Sequence, residues 1–206
     1  RIVSIEEVRV DTVQCIRVSG ESQTYVTDDF IVTHNSRKDP FVAIQAFKYL
    51  KENYPKDFDG AELHLKTNIR TLHPAMEEWC PELRIHYATW PTDILSAFYS
   101  AQHVLLAPSR GEGKNLPALE FQTTGGAVIA TNWGGHTSWM QEDWAYPLDY
   151  VLRPENAKFP DCKSARASKE HLQELMMHVF QNREELKNKA DLASITIPQM
   201  CSWDAV

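Results

Sequence analysis

Two short stretches hold residue types whose combination can do chemistry. The first is the tripeptide His34-Asn35-Ser36. An asparagine side-chain amide can attack its own main-chain carbonyl, closing a succinimide and breaking the peptide bond that follows. A neighbouring histidine can move the protons this step requires, and a following serine offers a hydroxyl for acyl transfer. Taken alone, the tripeptide reads more simply as a polar turn. The second stretch is "APSRGEGKNLPALEFQTTGG", in which seven residues separate Glu112 from Glu120. A helix opening near Asn115 and Pro117 presents free N–H groups and partial positive charge, a seat for phosphate. Gly111 and Gly113 allow close backbone approach, and the two carboxylates can accept hydrogen bonds from sugar or ribose hydroxyls. Lys38 can counter a diphosphate. Spacing alone also fits a helix cap and a turn, and favours that plainer account.

The elements that must position these residues fall into two unequal parts. Residues 1–35 read as strands, "RIVSIEEVRV", "VQCIRVSG" and "TYVTDDFIV", with turn signals at Gly20-Glu21-Ser22 and Asp28-Asp29. All six tryptophans lie after residue 78, and a piece of about 35 residues without metal or disulfide rarely folds alone. From Asp39 the pattern alternates between helix and strand. Asp39 is a candidate N-cap and Pro40 a first helical residue, with Phe41, Ile44 and Phe47 as the apolar stripe. There follow a strand "AELHLKT", a short helical stretch after Pro74, a strand "LRIHYAT", and a Thr/Asp-capped helix "TDILSAFYSA". Next come a buried strand "HVLLAPS", a helix from about 115 to 123, a strand "AVIAT", the Gly-rich loop "NWGGHTSW", and one long amphipathic helix "SKEHLQELMMHVFQNREELKNKA". This alternation predicts a Rossmann-like, doubly wound parallel sheet, whose ligands sit beyond the carboxyl ends of the strands. Gly134, Gly135 and His136 are placed facing that cleft. Trp133 fits packing against a tight turn slightly better, and His73 and His86 are most simply structural.

Composition narrows the classes. The 206 residues are 43% hydrophobic and 24% charged, with a formal net charge of -7. That is a globular composition, and the acidic balance argues against broad nucleic-acid binding. Cys15, Cys80, Cys162 and Cys201 show no CxxC spacing, so no zinc site or disulfide framework is indicated, and a reducing cytoplasm is the default. No apolar run approaches the roughly 18 residues that span a bilayer. The absence of an initiator Met leads us to expect a fragment or a processed product.

With its context, the first stretch changes meaning. "VQCIRVSGESQTYVTDDFIVTHNS", residues 13–36, resembles the C-terminal splicing blocks of inteins, phage ones in particular. The resemblance implies that Asn35 cyclises, His34 assists, and Ser36 is the first residue of the downstream segment. Inteins usually carry a histidine where this chain has Gln23. Cys15 stands where many have aspartate; with Thr33 before His34 it matches inteins that use a cysteine there as branching nucleophile, and a small buried residue on a strand is an equal alternative. The resemblance implies a split intein, or one whose upstream part is missing, completed by a complementary N-terminal fragment. The expected domains are therefore 1–35, a β intein segment, and 36–206.

The second stretch has a family likeness of its own. "PSRGEGKNLPALEFQTTGGAVIATNWGGH" resembles the donor-binding signature of retaining GT-B glycosyltransferases, and the match extends from "RKDP" to roughly residue 150. It implies that Glu112 contacts the donor sugar and Glu120 the ribose hydroxyls. The backbone amides of Asn115 and Leu116, flanked by Gly113 and Lys114, would hold the distal phosphate. Lys38 matches the diphosphate-neutralising lysine, whereas Arg37 is adjacent rather than spaced upstream, so the usual arginine is expected in a separate N-terminal piece. Lys114-Asn115 replaces the commoner aromatic residue and glycine. The implied substrate is a nucleotide-diphosphate sugar, with no bound metal or cofactor and an acceptor of unknown identity. A non-catalytic sugar-nucleotide module carrying an inactive intein remnant is the alternative.

Overall fold

The computed structural model describes residues 36–67, 79–156 and 159–201. The chain divides into two units, Arg1–Arg37 and Lys38–Val206; the helices and strands described belong to the second, apart from the 3-10 helix Ser36–Lys38 that leads into it. The predicted strands of residues 1–35, His73 and the helical stretch after Pro74 lie outside the described residues.

Helix α1 (Pro40–Asn53) buries Ala43, Ile44, Ala46, Phe47 and Leu50. At about 100° per residue these share one side, whereas Phe41 falls on the other and is 51% exposed, a correction to the expected stripe. Strands β1 (Leu63–Thr67) and β2 (Leu83–Tyr87) pair in parallel from Leu63 opposite Leu83. Helix α2 (Thr92–Ser100) follows. Its N-cap is Pro91 rather than the expected Thr/Asp, and it buries no side chain.

Strands β3 (Val104–Ala107), β4 (Ala127–Thr131) and β5 (Tyr146–Leu148) form a second parallel sheet in that order. Pairing is parallel as expected, but the described strands fall into two parallel sheets rather than one. Among the described strands β3 pairs with β4 alone, and it keeps Val104, Leu105 and Leu106 partly exposed, less buried than its run of apolar residues suggests. β4 is buried at every position. Its Ala127 and Ile129 join a core with α1 and the C-terminal helices, while Val128 and Ala130 join another with α3 (Leu116–Thr123). Alternate side chains of a strand point to opposite faces, so β4 is covered on both sides, as a parallel strand flanked by helices must be. Fully burying one such valine or isoleucine contributes about 2 kcal/mol. Helix α3 stops at Gly125, whose φ of 85° lies in the left-handed region glycine enters without steric cost.

An antiparallel hairpin, β6 (Tyr150–Asn156) and β7 (Phe159–Ala167), follows β5, with a register shift between Pro154 and Asn156. The predicted single C-terminal helix is two, α4 (Lys169–Gln181) and α5 (Arg183–Cys201). Asn182 breaks it with φ -112° and ψ 60°, and its Nδ2 donates to the His178 carbonyl at 2.8 Å. An Asn side chain that satisfies a terminal carbonyl in this way competes with continuation of the helix.

Candidate functional site

The loops that follow β3 and β4 leave neighbouring parallel strands at their carboxyl ends, and they touch. The Gly135 N–H donates to the Glu112 carbonyl at 2.8 Å. A Cβ on Gly135 would overlap the Gly113 carbonyl, and Gly134 takes φ 63°; glycines at both positions let the two loops lie backbone to backbone. Trp139 ties the layer down, its Nε1 donating to the Lys114 carbonyl at 2.7 Å.

Lys38, just before α1, reaches across to this loop. Its Nζ lies 2.7 Å from Glu112 Oε1 and donates to Asn115 Oδ1 at 2.9 Å. The Glu112 side chain is only 3% exposed, against 33% for Lys38. A carboxylate so deeply buried requires a counter-charge, and Lys38 supplies it. Asn115 Nδ2 lies 2.9 Å from His136 Nε2, and His136 Nδ1 lies 2.8 Å from the Thr131 carbonyl. A carbonyl only accepts, so Nδ1 carries the proton and Nε2 is the acceptor for the Asn115 amide. Burial is the main cause holding the His136 pKa below its ordinary value; the Thr131 carbonyl and Glu112 oppose that shift, and Lys38 adds to it. The ring is 1% exposed, so His136 sits behind Asn115 rather than facing the cleft as expected.

Asn115 occupies the N-cap of α3 at φ 62° and ψ 62°, without a side-chain cap hydrogen bond. This is left-handed backbone, which asparagine tolerates better than other non-glycine residues. Asn115 thus holds a backbone shape more often left to glycine. Asp39 shows the same pattern at α1: φ 46°, ψ 53°, no cap bond, and a carboxylate 2.7 Å from Arg110 Nε. Asp39 is thus at the predicted cap position, but its side chain serves the Arg110 pair.

The remaining sequence candidates are scattered in role. Gly113 and Gly111 face open space where a Cβ would stand, and Lys114, Leu116 and Glu120 are exposed. Glu120 sits in the second turn of α3. Arg37 is exposed in the 3-10 helix. Ser36 begins that helix, whereas Cys15, Thr33, His34 and Asn35 lie outside the described residues. Trp133 is partly exposed, its ring 5.5 Å from that of Tyr150. His86 stacks on His64, with His64 Nδ1 and His86 Nε2 3.0 Å apart. Residues not foreseen include Arg110, Thr131 and Trp139 at this site, and Ser109 next to Arg110 in the chain, whose buried hydroxyl has no partner among the described residues. Only their position near Glu112 in the chain pointed to Arg110 and Ser109. Among the described residues no group of three or more His, Cys, Asp and Glu is arranged to hold a metal ion, and no helix is long and apolar enough to cross a membrane.

No family model and no curated protein matches the chain. Solved structures do, and together with the loop geometry they define a class of fold: the Rossmann-like C-terminal domain of GT-B glycosyltransferases. A glycosyltransferase from Rickettsia africae is 19% identical with a TM-score of 0.57, over 79% of this chain and 40% of its own. The C-terminal domain of a glycosyl transferase group 1 family protein from Francisella tularensis is 15% identical, with a TM-score of 0.60, over 82% of this chain and 81% of that domain. Sucrose-phosphate synthase from Thermosynechococcus elongatus gives 15% identity and a TM-score of 0.63, over 83% of this chain and 40% of its own. The likeness is one of fold, and the chain spans only 40% of the Rickettsia protein.

Proposed function

We propose that residues 36–206 are the donor-binding half of a retaining glycosyltransferase that takes its sugar from a nucleotide diphosphate. The observation that carries this is the meeting of Lys38, Glu112 and Asn115 at the start of α3. A cation and a helix start converge there beside a buried carboxylate, the chemistry a sugar diphosphate needs at its two ends. In this proposal Lys38 meets the diphosphate, with the Asn115 and Leu116 amides on the distal phosphate beside Gly113 and Lys114. Glu112, with Lys38 still beside it as counter-charge, accepts from sugar hydroxyls, and exposed Glu120 accepts from the ribose. Calorimetric titration of UDP, GDP and ADP into the full chain tests it. We expect Glu120→Ala to weaken the best nucleotide about tenfold, the loss of a hydrogen bond to a charged acceptor, with the fold intact. Unchanged affinity removes the donor-site assignment.

Residues 1–35 we propose to be an intein C-terminal segment, on the strength of "VQCIRVSGESQTYVTDDFIVTHNS". The Asn35 amide nitrogen attacks its own main-chain carbonyl, the bond to Ser36 breaks, and His34 gives a proton to the departing Ser36 amine. The piece leaves with a terminal succinimide. Before that release, Cys15 Sγ as branching nucleophile takes the upstream acyl group from a complementary fragment, whose amine leaves with a proton, and Ser36 Oγ then takes the group as an ester and frees the thiol. Once Asn35 has cyclised, the liberated Ser36 amine attacks that ester and closes the peptide bond; Thr33 precedes the assisting histidine. Mass spectrometry after mixing with such a fragment should show a product joined at Ser36, and Asn35→Ala should prevent release. Normal release from that variant refutes the role.

A further inference from the structure

A lysine ammonium on a flexible four-carbon stem does not stay in one place unless its acceptors are themselves fixed. One acceptor of Lys38, Asn115 Oδ1, is fixed from behind. The amide's other end is held by His136 Nε2 at 2.9 Å, and His136 is held by Nδ1–H to the Thr131 carbonyl at 2.8 Å. Thr131 is the fully buried last residue of β4, and the Trp139 ring packs edge-on to the imidazole with centroids 5.7 Å apart. A chain of bonds therefore runs from the central strand out to the surface cation.

We infer that His136, acting through Asn115, is a positioning residue for Lys38 and so for diphosphate capture; the functional consequence rests on the donor-site proposal. The direction of every bond in the chain matters. With the proton on Nδ1, Nε2 accepts from the Asn115 amide, which leaves Oδ1 pointing at the ammonium. A second proton, on Nε2, would make both ring nitrogens donors. Asn115 would then have to turn its oxygen to His136 and its NH2 to Lys38, setting donor against donor. Burial, the largest influence, lowers the His136 pKa, Glu112 and Lys38 act on it in opposite senses, and the neutral ring is the form whose Nε2 can accept from the Asn115 amide. His136 does not touch the donor in this scheme. It sets which atom of Asn115 Lys38 meets.

The test is a double-variant cycle on the full chain, using UDP, GDP and ADP in calorimetry, with circular dichroism to verify folding. His136→Leu keeps an apolar contact with Trp139 but bonds to neither Thr131 nor Asn115. It should weaken the tightest nucleotide about tenfold, as loss of a charge-assisted contact does. His136→Gln can donate to Thr131 and accept from Asn115, and should restore most of that affinity. On a Lys38→Met background, His136→Leu should cost nothing further. An equal loss with and without Lys38, or no rescue by glutamine, overturns the inference. If the wild-type chain binds none of the three nucleotides, the donor-site proposal falls instead. The positioning role is then decided by the Lys38 ammonium signal in nitrogen–proton NMR: visible in wild type and His136→Gln and lost in His136→Leu if it holds, unchanged in all three if it does not.

Discussion

Helix α4 starts in the ordinary way and helices α1 and α3 do not. At α4, Ser168 lies in extended backbone at φ -71° and ψ 117°, its hydroxyl accepts from the His171 N–H, and Glu170 sits in the first turn. At α1 and α3 the cap residues Asp39 and Asn115 are left-handed, neither caps the backbone, and no acidic residue occupies the first turn. Their side chains turn instead to Arg110 and to Lys38 and His136. Each left-handed residue costs on the order of 1 kcal/mol. A fold that sets aside its own capping rule at two neighbouring helix starts, while obeying it at a third, marks where side chains and N–H groups are kept for another use. Neither first turn carries an acidic residue, and the Asp39 carboxylate is turned to Arg110 rather than to the helix N–H groups.

Changing the cap residues sharpens the contrast. Asn115→Ala should lower unfolding free energy by about 3 kcal/mol, combining a left-handed alanine with the loss of buried partners for Lys38 and His136. Asn115→Gly removes the same side chain but fits the backbone, so it should be less damaging by about 1 kcal/mol. Urea unfolding measures both, and equal losses would refute left-handed strain at this position. Ser168→Ala should cost about 1 kcal/mol, the usual worth of a cap, and leave nucleotide titrations unaltered. A change in nucleotide affinity would erase the distinction between the two kinds of helix start. The smallest effect is on pH. Burial holds His136 below its ordinary pKa, so the unfolded chain binds the proton more readily than the folded one. Stability should therefore decline as pH falls below about 6.5, until the folded ring also protonates. His86, lowered by burial and by His64, acts in the same sense. His136→Gln should reduce the slope, and an unchanged slope would mean the ring is not the proton-excluding group.

The β3–loop–α3–β4 unit was legible because three local signals agree there: an apolar strand, a Gly-rich turn, and Pro117 at the opening of a helix. Lys38 was legible by type, but its contact with Glu112, far along the chain, was not. The hairpin β6–β7 was not, since Pro154 and Pro160 break the strand pattern and belong in sheets only at edges or irregularities. Periodicity runs through "VFQNREEL" without pause, so the break at Asn182 was invisible until its side chain was seen bonding to His178. The placement of His136 failed for a related reason. Loop histidines usually face solvent, whereas this one is bonded to Thr131 and Asn115 beneath the close contact of Gly135 with the Glu112–Gly113 backbone.

Helix α5 contributes Leu186 and Ala190 to the core on one side of β4, and Ala193 and Ile197 to the core on the other. A single rod shared by both layers makes it costly for either to melt while the other persists. Amide protons in α1 and α3 should consequently exchange with solvent at a common free energy, and damage to the last turns of the chain should be felt at the loop holding Glu112.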